Sequence, residues 1–427
     1  MCNFLAAGAI VAGGCNLTLW QKYLGLDATD LSWLNALSAN AGGAAIGAFF
    51  GGFLADRYGR RNLFTWNMLT LMVGIILSMT ANNFVQLLTG FIVTGIAVGT
   101  SIPASWTYIC ECSGDNHRGR NIAISQVAWG LGPTFVLFCS YLLAPGGDLF
   151  DHVVYLADDF GVRANRTHEV NVFGSRIVFG ILLLLAVISF FFMRRLEASR
   201  EWLKNRETIE KEHSLFYSFK LLRTKKYGPT ILILTAMYLS WNLTASAMGF
   251  FQGHIYETVG HLSTAMSSRA LADMWLLTSL ITLAGVFFLD KYKHRNLLVG
   301  FLSAGILTWF LAATVGIDDF IGIVIVTILW AIQAGVSVQL FFSLWTVELF
   351  PFKYRAAALG ISFGLVRLFS AFGNYFFSIN FSESTIRPGA IIMFILLCIS
   401  AWLGWKFAPE TRGKSMTQII DEQHYDE

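Results

Sequence analysis

Polar side chains recur at helical spacing inside stretches that are otherwise apolar, and these residues carry whatever chemistry the chain performs. Gln126, Trp129 and Pro133 share one side of one stretch; Asn242, Ser246, Gly249 and Gly253 form a second stripe. Gly335, Gln339, Ser343 and Thr346 form a third, and Gly364, Arg367, Ser370 and Asn374 a fourth. An unpaired polar group is costly in an apolar medium, so these side chains must face a cavity or one another. Amides both donate and accept hydrogen bonds, and the face of Trp129 can stack on a pyranose ring. The pattern therefore suits reversible binding of a hydroxylated solute, a sugar, polyol or sugar acid. Catalysis lacks its parts. His152, His168, His213, His254 and His261 fall mostly in loops, no His/Glu metal pattern is present, and Cys110-x-Cys112 has no second pair to complete a tetrahedral site. No catalytic residue, metal or cofactor is expected.

Arg367 poses a separate question. It lies twelve positions beyond Arg355, or roughly 18 Å along a helix, which puts a permanent charge near mid-depth of its stretch. No Asp or Glu stands at that depth; Asp273 is the nearest. Either backbone carbonyls and amides hold this guanidinium, or it waits for an anion from solution, in which case the ligand is a sugar acid.

Other charges come in repeated sets. Glu111 and Arg118 are seven apart, as are Glu348 and Arg355, at an offset of 237 (348 − 111). Asp56-Arg57-Tyr58-Gly59-Arg60-Arg61 is echoed by Asp290-Lys-Tyr-Lys-His-Arg295 at an offset of 234 (290 − 56). Two motifs at nearly one offset imply a duplicated unit. Asp56 can accept from arginines or from a neighbouring helix N-terminus, and Gly59 permits a reversal of the backbone. Asp56, Arg57, Arg60, Arg61, Glu111, Arg118, Glu348 and Arg355 are thus read as a gate whose Glu–Arg contacts hold one side closed.

The elements that position these groups are membrane spans. Of 427 residues, 55% are hydrophobic and 13% charged, and mean hydropathy is +0.58. The net charge is only +3, and charge-free stretches of about 20 residues alternate with short basic loops, which argues against a nucleic-acid partner. Windows of about 19 residues give spans at 4–24, 31–55, 63–81, 84–111, 121–143 and 174–193, then 229–256, 267–289, 297–316, 320–348, 356–380 and 388–407. This is an all-α membrane protein of twelve transmembrane helices: a six-helix half over 1–193, a charged linker over 194–227, a second half over 228–408 and a tail over 409–427. Placing the linker and both termini on one side gathers roughly 23 Lys and Arg there against about 6 opposite, so that side is assigned to the cytoplasm of a plasma or cell inner membrane. The opposite face has one sizeable loop, about 146–171, with a formal sequon at Asn165. No cleaved signal peptide is expected, since no basic segment precedes the first span. Gly43, Gly47 and Gly51 bare one face of the second span for close helix packing.

Several segments carry a family resemblance. Gly52–Arg61, GFLADRYGRR, resembles the loop signature of the major facilitator superfamily. Pro409–Ser415 resembles the C-terminal signature of its sugar porter branch, Glu348–Arg355 the loop after span ten, and Glu111–Gly119 the loop after span four; Glu197–Leu203 matches the branch only in part. The resemblance implies a secondary transporter working by alternating access, monomeric, with Gln126 where sugar porters place a sugar-binding glutamine. Proton-coupled sugar porters also carry an acid in span one and an arginine in span four. Here Gly14, Cys15 and Asn16 occupy the first position and Phe91 the second, so a facilitator, or coupling of a proton by another group such as Asp27 or Asp30, is expected instead. Related branches carry organic acids. A sensor that kept the fold but lost transport is the alternative from another class, and the tail of about 19 residues offers it little signalling surface.

Overall fold

Backbone N–H and C=O groups have no water to pair with in hydrocarbon, so apolar stretches of this length resolve into helices. The computed structural model describes residues 1–15, 17–113, 117–144, 147–149, 172–199, 202–204, 224, 227–258, 260–289, 291–315, 320–380, 386–414, 418–419 and 422. The loop containing Asn165 and most of the linker lie outside the described residues.

The first span is α1 (Cys2–Gly14) and α2 (Leu17–Leu24), the second α3 (Ala28–Leu37) and α4 (Gly42–Tyr58). Then come α5 (Arg60–Met79), α6 (Phe84–Cys112), α7 (Arg118–Leu143) and α8 (Phe173–Arg194). The second set is α9 (Gly228–Thr258), α10 (Thr264–Leu289), α11 (His294–Thr314), a tenth span made of α12 (Phe320–Gly335) and α13 (Val338–Glu348), α14 (Arg355–Asn380) and α15 (Ile386–Phe407). Among the described residues, ten stretches are helical, long and apolar enough to cross a membrane. The two spans outside that set are the interrupted first span and the seventh, α9, whose 31 residues reach about 46 Å but carry Ser240, Asn242, Thr244, Ser246 and Gln252.

Three spans expected to be continuous are broken. Span one opens after Gly14, span two between Leu37 and Gly42, and span ten at Val336–Ser337. Freed polar groups at the breaks find partners: Ala41 N donates to Ser38 O at 3.1 Å, and Thr282 Oγ1 donates to Gly335 O at 2.7 Å. Asp27 and Asp30 exchange hydrogen bonds with each other's backbone N–H in a capping box at the start of α3, so their carboxylates serve that helix end.

Within the first six spans α4 and α5 both pack on α6, and α1 packs on α7; in the last six α11 packs on α15 and α9 on α14 and α15. The two sets meet along α7 with α10 and along α4 with α14. Glycines decide how closely. The Gly43, Gly47 and Gly51 face lies on α6, where a Cβ on Gly47 would collide with Ile96 O and one on Gly51 would lie 2.5 Å from Thr100 Cα. On another side of α4, Gly52 faces Ala356 and Gly360 of α14, so the two sets touch backbone to backbone there.

Candidate functional site

A cavity of about 470 Å³ lies between the two sets of spans. Its wall takes in all three breaks, at Gly13–Cys15, Ser38–Asn40 and Gly335–Ser337. It runs outward past Gln21, Leu31, Glu257 and Leu271, residues near the helix ends remote from the Arg-rich turns. Toward the basic end the bundle closes over aromatic side chains: Tyr238 stacks on Phe342 with ring centroids 4.3 Å apart, and Trp106 meets Phe363 edge-on at 6.1 Å.

Seven of the eight side chains selected from sequence line this cavity: Gln126, Trp129, Asn242, Ser246, Gln339, Arg367 and Asn374. Ser343 does not. It is fully buried and donates to Leu340 O at 2.7 Å, one turn or about 6 Å beyond Gln339 toward the basic end, where α13 is packed on all sides. Sequence reading missed Asn40, Trp241 and Gln252, which also line it. Gln252 stands one residue beside the Asn242–Gly253 stripe, so a wider helical face would have included it. Asn40 was hidden by reading span two as one unbroken apolar helix.

The amides form a relay across the cavity. Tyr238 Oη donates to Gln339 Oε1 at 3.2 Å, and Gln339 Nε2 donates to Gln126 Oε1 at 2.9 Å, joining α9, α13 and α7. This leaves Gln126 Nε2 without a protein partner. Trp241 Nε1, Ser246 Oγ and Arg367 Nε are likewise buried and unmatched. Buried polar atoms are normally paired, so these four atoms, with Gln252 Oε1 a fifth, mark a surface prepared for hydrogen-bonding groups brought by a ligand. Ser370 Oγ donates to Asn242 Oδ1 at 2.8 Å and orients that amide.

Arg367 lies in the cavity wall but turns toward span two. Its Nη1 donates to both the backbone O (2.9 Å) and Oδ1 of Asn40, and its guanidinium lies 4.7 Å from the centroid of the Phe363 ring. The cation thereby supplies a donor to the break in span two. Asp273 instead stands beside Arg269 on an exposed surface, with Nε and Oδ2 3.8 Å apart.

At the basic end, buried charge joins the two sets of spans. Arg60 Nη2 contacts Asp56 Oδ1 at 2.9 Å and Glu111 Oε1 at 2.8 Å. Asp56 Oδ2 accepts from Ala357 N at 2.8 Å, so a carboxylate on α4 satisfies an N-terminal donor of α14. Arg118 Nε meets Glu348 Oε1 at 3.1 Å, and its Nη2 donates to Lys414 O at 2.8 Å. Trp202 Nε1 donates to Asp56 O at 3.0 Å. The carboxylates therefore pair beyond their own seven-residue motifs, Glu111 with Arg60 and Glu348 with Arg118. Arg355 is buried above Phe352 with Nε toward Phe350 O, 3.4 Å away. Two members of the sequence-selected set stand outside: Arg57 is exposed beside Tyr58, and Arg61 is exposed and donates to Arg194 O. The reason is local. Asp56–Tyr58 continue α4 and Arg60 begins α5, so the reversal is Gly59 alone, at φ +83°, and only Arg60 turns inward.

Residues 1–374 match the family model described as Major Facilitator Superfamily. The chain belongs to the Major Facilitator Superfamily. It is thus a multi-pass membrane transporter and not an enzyme, and its likeness to sugar porters extends beyond short motifs. It is 36% identical to the minor myo-inositol transporter IolF of Bacillus subtilis (strain 168), over 99% of this chain and 92% of the relative. It is 25% identical to the glucose transporter GlcP of Staphylococcus epidermidis (strain ATCC 12228 / FDA PCI 1200), over 88% of this chain and 85% of the relative. The proton:xylose symporter XylE, solved with 6-bromo-6-deoxy-D-glucose, superimposes with a TM-score of 0.74 at 18% identity, covering 98% of each chain, which establishes the major facilitator fold.

Proposed function

We propose that this transporter carries a neutral cyclic polyol, myo-inositol first among them, by alternating access. The observation that carries the reading is the Tyr238–Gln339–Gln126 relay, which presents an unmatched amide donor to a cavity between the two six-span sets. Trp241 Nε1 and Ser246 Oγ add donors, and a ring bearing a hydroxyl on every carbon offers acceptors in every direction. The 36% identity to IolF supports the same choice. Arg367 spends Nη1 on Asn40 and keeps Nε unmatched, so competition by glucuronate separates a neutral cavity from an anion site.

In this reading residues 1–193 and 228–408 rock about the cavity, joined by 194–227 and followed by a tail over 409–427, and the basic end faces the cytoplasm of a cell membrane. Asp56, Arg60, Glu111, Arg118, Glu348 and Arg355 form the gate on that side. The protein works as a monomer. In sequence, Gly14, Cys15 and Asn16 of span one and Phe91 of span four stand where the usual acid–arginine pair would, so coupling through that pair is absent. Uptake then follows the solute gradient. Proteoliposomes tested with myo-inositol, glucose, xylose and glucuronate check this: saturable myo-inositol uptake insensitive to an uncoupler is expected, with glucuronate a poor competitor. Uncoupler-sensitive accumulation would refute the facilitator reading, and preference for glucuronate the neutral cavity.

A further inference from the structure

The cavity contains a second unmatched amide well removed from the relay. Gln252 on α9 is 1% exposed and lines the cavity. Its Nε2 donates to Tyr256 Oη at 2.7 Å and reaches Thr327 Oγ1 at 3.5 Å, and these two hydroxyls bond each other at 2.8 Å. Gln252 Oε1 has no partner. One end of the amide is pinned by two hydroxyls while the other carries an uncompensated desolvation penalty. Because a polyol hydroxyl both donates and accepts, it can pair with that free end.

Ten residues separate Gln252 from Asn242, about 15 Å along α9 and outward from the relay, wider than one six-membered ring. Two indoles share this part of the wall. Trp275 and Trp330 line the cavity with ring centroids 5.9 Å apart at 79°, giving one apolar ring face and one edge. Tyr256, Met274 and Trp330 also belong to a hydrophobic cluster separate from the larger core beneath, so the outer wall has its own packing. All its members belong to the second set of spans, whereas the relay draws on both sets through Gln126 and Gln339.

We propose that Gln252, anchored by Tyr256 and Thr327 and flanked by Trp275 and Trp330, forms an outer subsite for a neutral polyhydroxylated ring, filled at the same time as the relay site. The inference rests on the polyol reading above. An outer subsite built from one set of spans can take up solute without waiting for the two sets to close around it. The solute then moves inward to the relay, where both sets hold it.

Equilibrium binding of tritiated myo-inositol to the purified full-length protein counts the sites. Wild type is expected to bind two molecules per chain at saturation; Gln252→Leu should lower the affinity of the outer site alone, and Gln126→Leu that of the relay site alone, each by roughly two- to tenfold. Trp330→Leu gives an independent measure of the outer site if Gln252→Leu does not fold. A single site in wild type that Gln126→Leu weakens would overturn the outer subsite while leaving the polyol reading intact, as would two sites of unchanged affinity in Gln252→Leu. No binding of myo-inositol at all would overturn both.

Discussion

The two ends of this bundle solve the same problem in opposite ways. At the basic end, charged groups are buried and paired across the two sets of spans, and the helices approach backbone to backbone at Gly52 and Gly360. Toward the other end the sets part around a cavity in whose wall several polar atoms are left unmatched. A closed end held by charge is strong only while every partner is in place, since one charge left alone in a dry interior is heavily penalised. An open end with unmatched amides is weak by itself and gains from a ligand. The difference suits the alternating access proposed above, in which the charged end acts as a lock undone as a unit and the cavity as a site that waits.

Breaking the lock should have the largest effect. Arg118→Ala takes an ion-pair partner from the buried Glu348 carboxylate, leaving it Thr411 and Arg355, and is expected to disfavour the closed basic end by up to about 3–5 kcal/mol, against modest effects for exposed charges. Cys110, fully buried beside this cluster, reports it: in a Cys112→Ser background, maleimide labelling from the basic side should rise sharply. Unchanged labelling would mean that the pair is only structural. Next come the glycines. Gly47→Ala pushes α4 off α6 within one set and should reduce folded protein, measured by thermal unfolding in detergent. Gly52→Ala pushes α4 off α14 between the sets, and should leave the fold standing while raising Cys110 labelling. Equal loss of folded protein in both would erase the distinction drawn here between packing and closing contacts.

Effects at the open end should be smaller. Gln126→Leu removes the unmatched donor and is expected to weaken myo-inositol binding by about 0.5–1.5 kcal/mol, a change of roughly two- to tenfold read by calorimetry. Smallest of all, Arg57→Ala should change stability by no more than about 0.5 kcal/mol, because its side chain is exposed and outside the buried set; a larger drop in unfolding temperature would place it back in the gate.

How much of this was legible in the sequence follows from what each feature depends on. The spans were legible because hydrocarbon imposes helix on any sufficiently long apolar stretch, and Gln126, Asn242 and Gln339 stood out because amides are expensive there. The inward turn of Arg60, and of neither Arg57 nor Arg61, was not legible, since it depends on α4 running on to Tyr58 and reversing at Gly59 alone. The pairing of Glu348 with Arg118 joins residues 230 apart and follows from how the sets meet. The breaks in spans one, two and ten escaped because the glycines and polar residues at them, such as Gly14, Ser38, Asn40, Gly335 and Ser337, are too few to lower the hydropathy of a window of about 19 residues. With the break in span two went Asn40, and with Asn40 the partner of Arg367.

The central claim is that Gln339 and Gln126 act as one relay that offers a donor to a neutral polyol. A double-mutant cycle of Gln126→Leu, Gln339→Leu and the double variant, read by myo-inositol binding affinity, tests it most directly. Because Gln339 Nε2 orients Gln126 through Oε1, the account predicts that the double variant loses little more than the larger single loss. Losses that simply add, or no loss in either single variant, would contradict it.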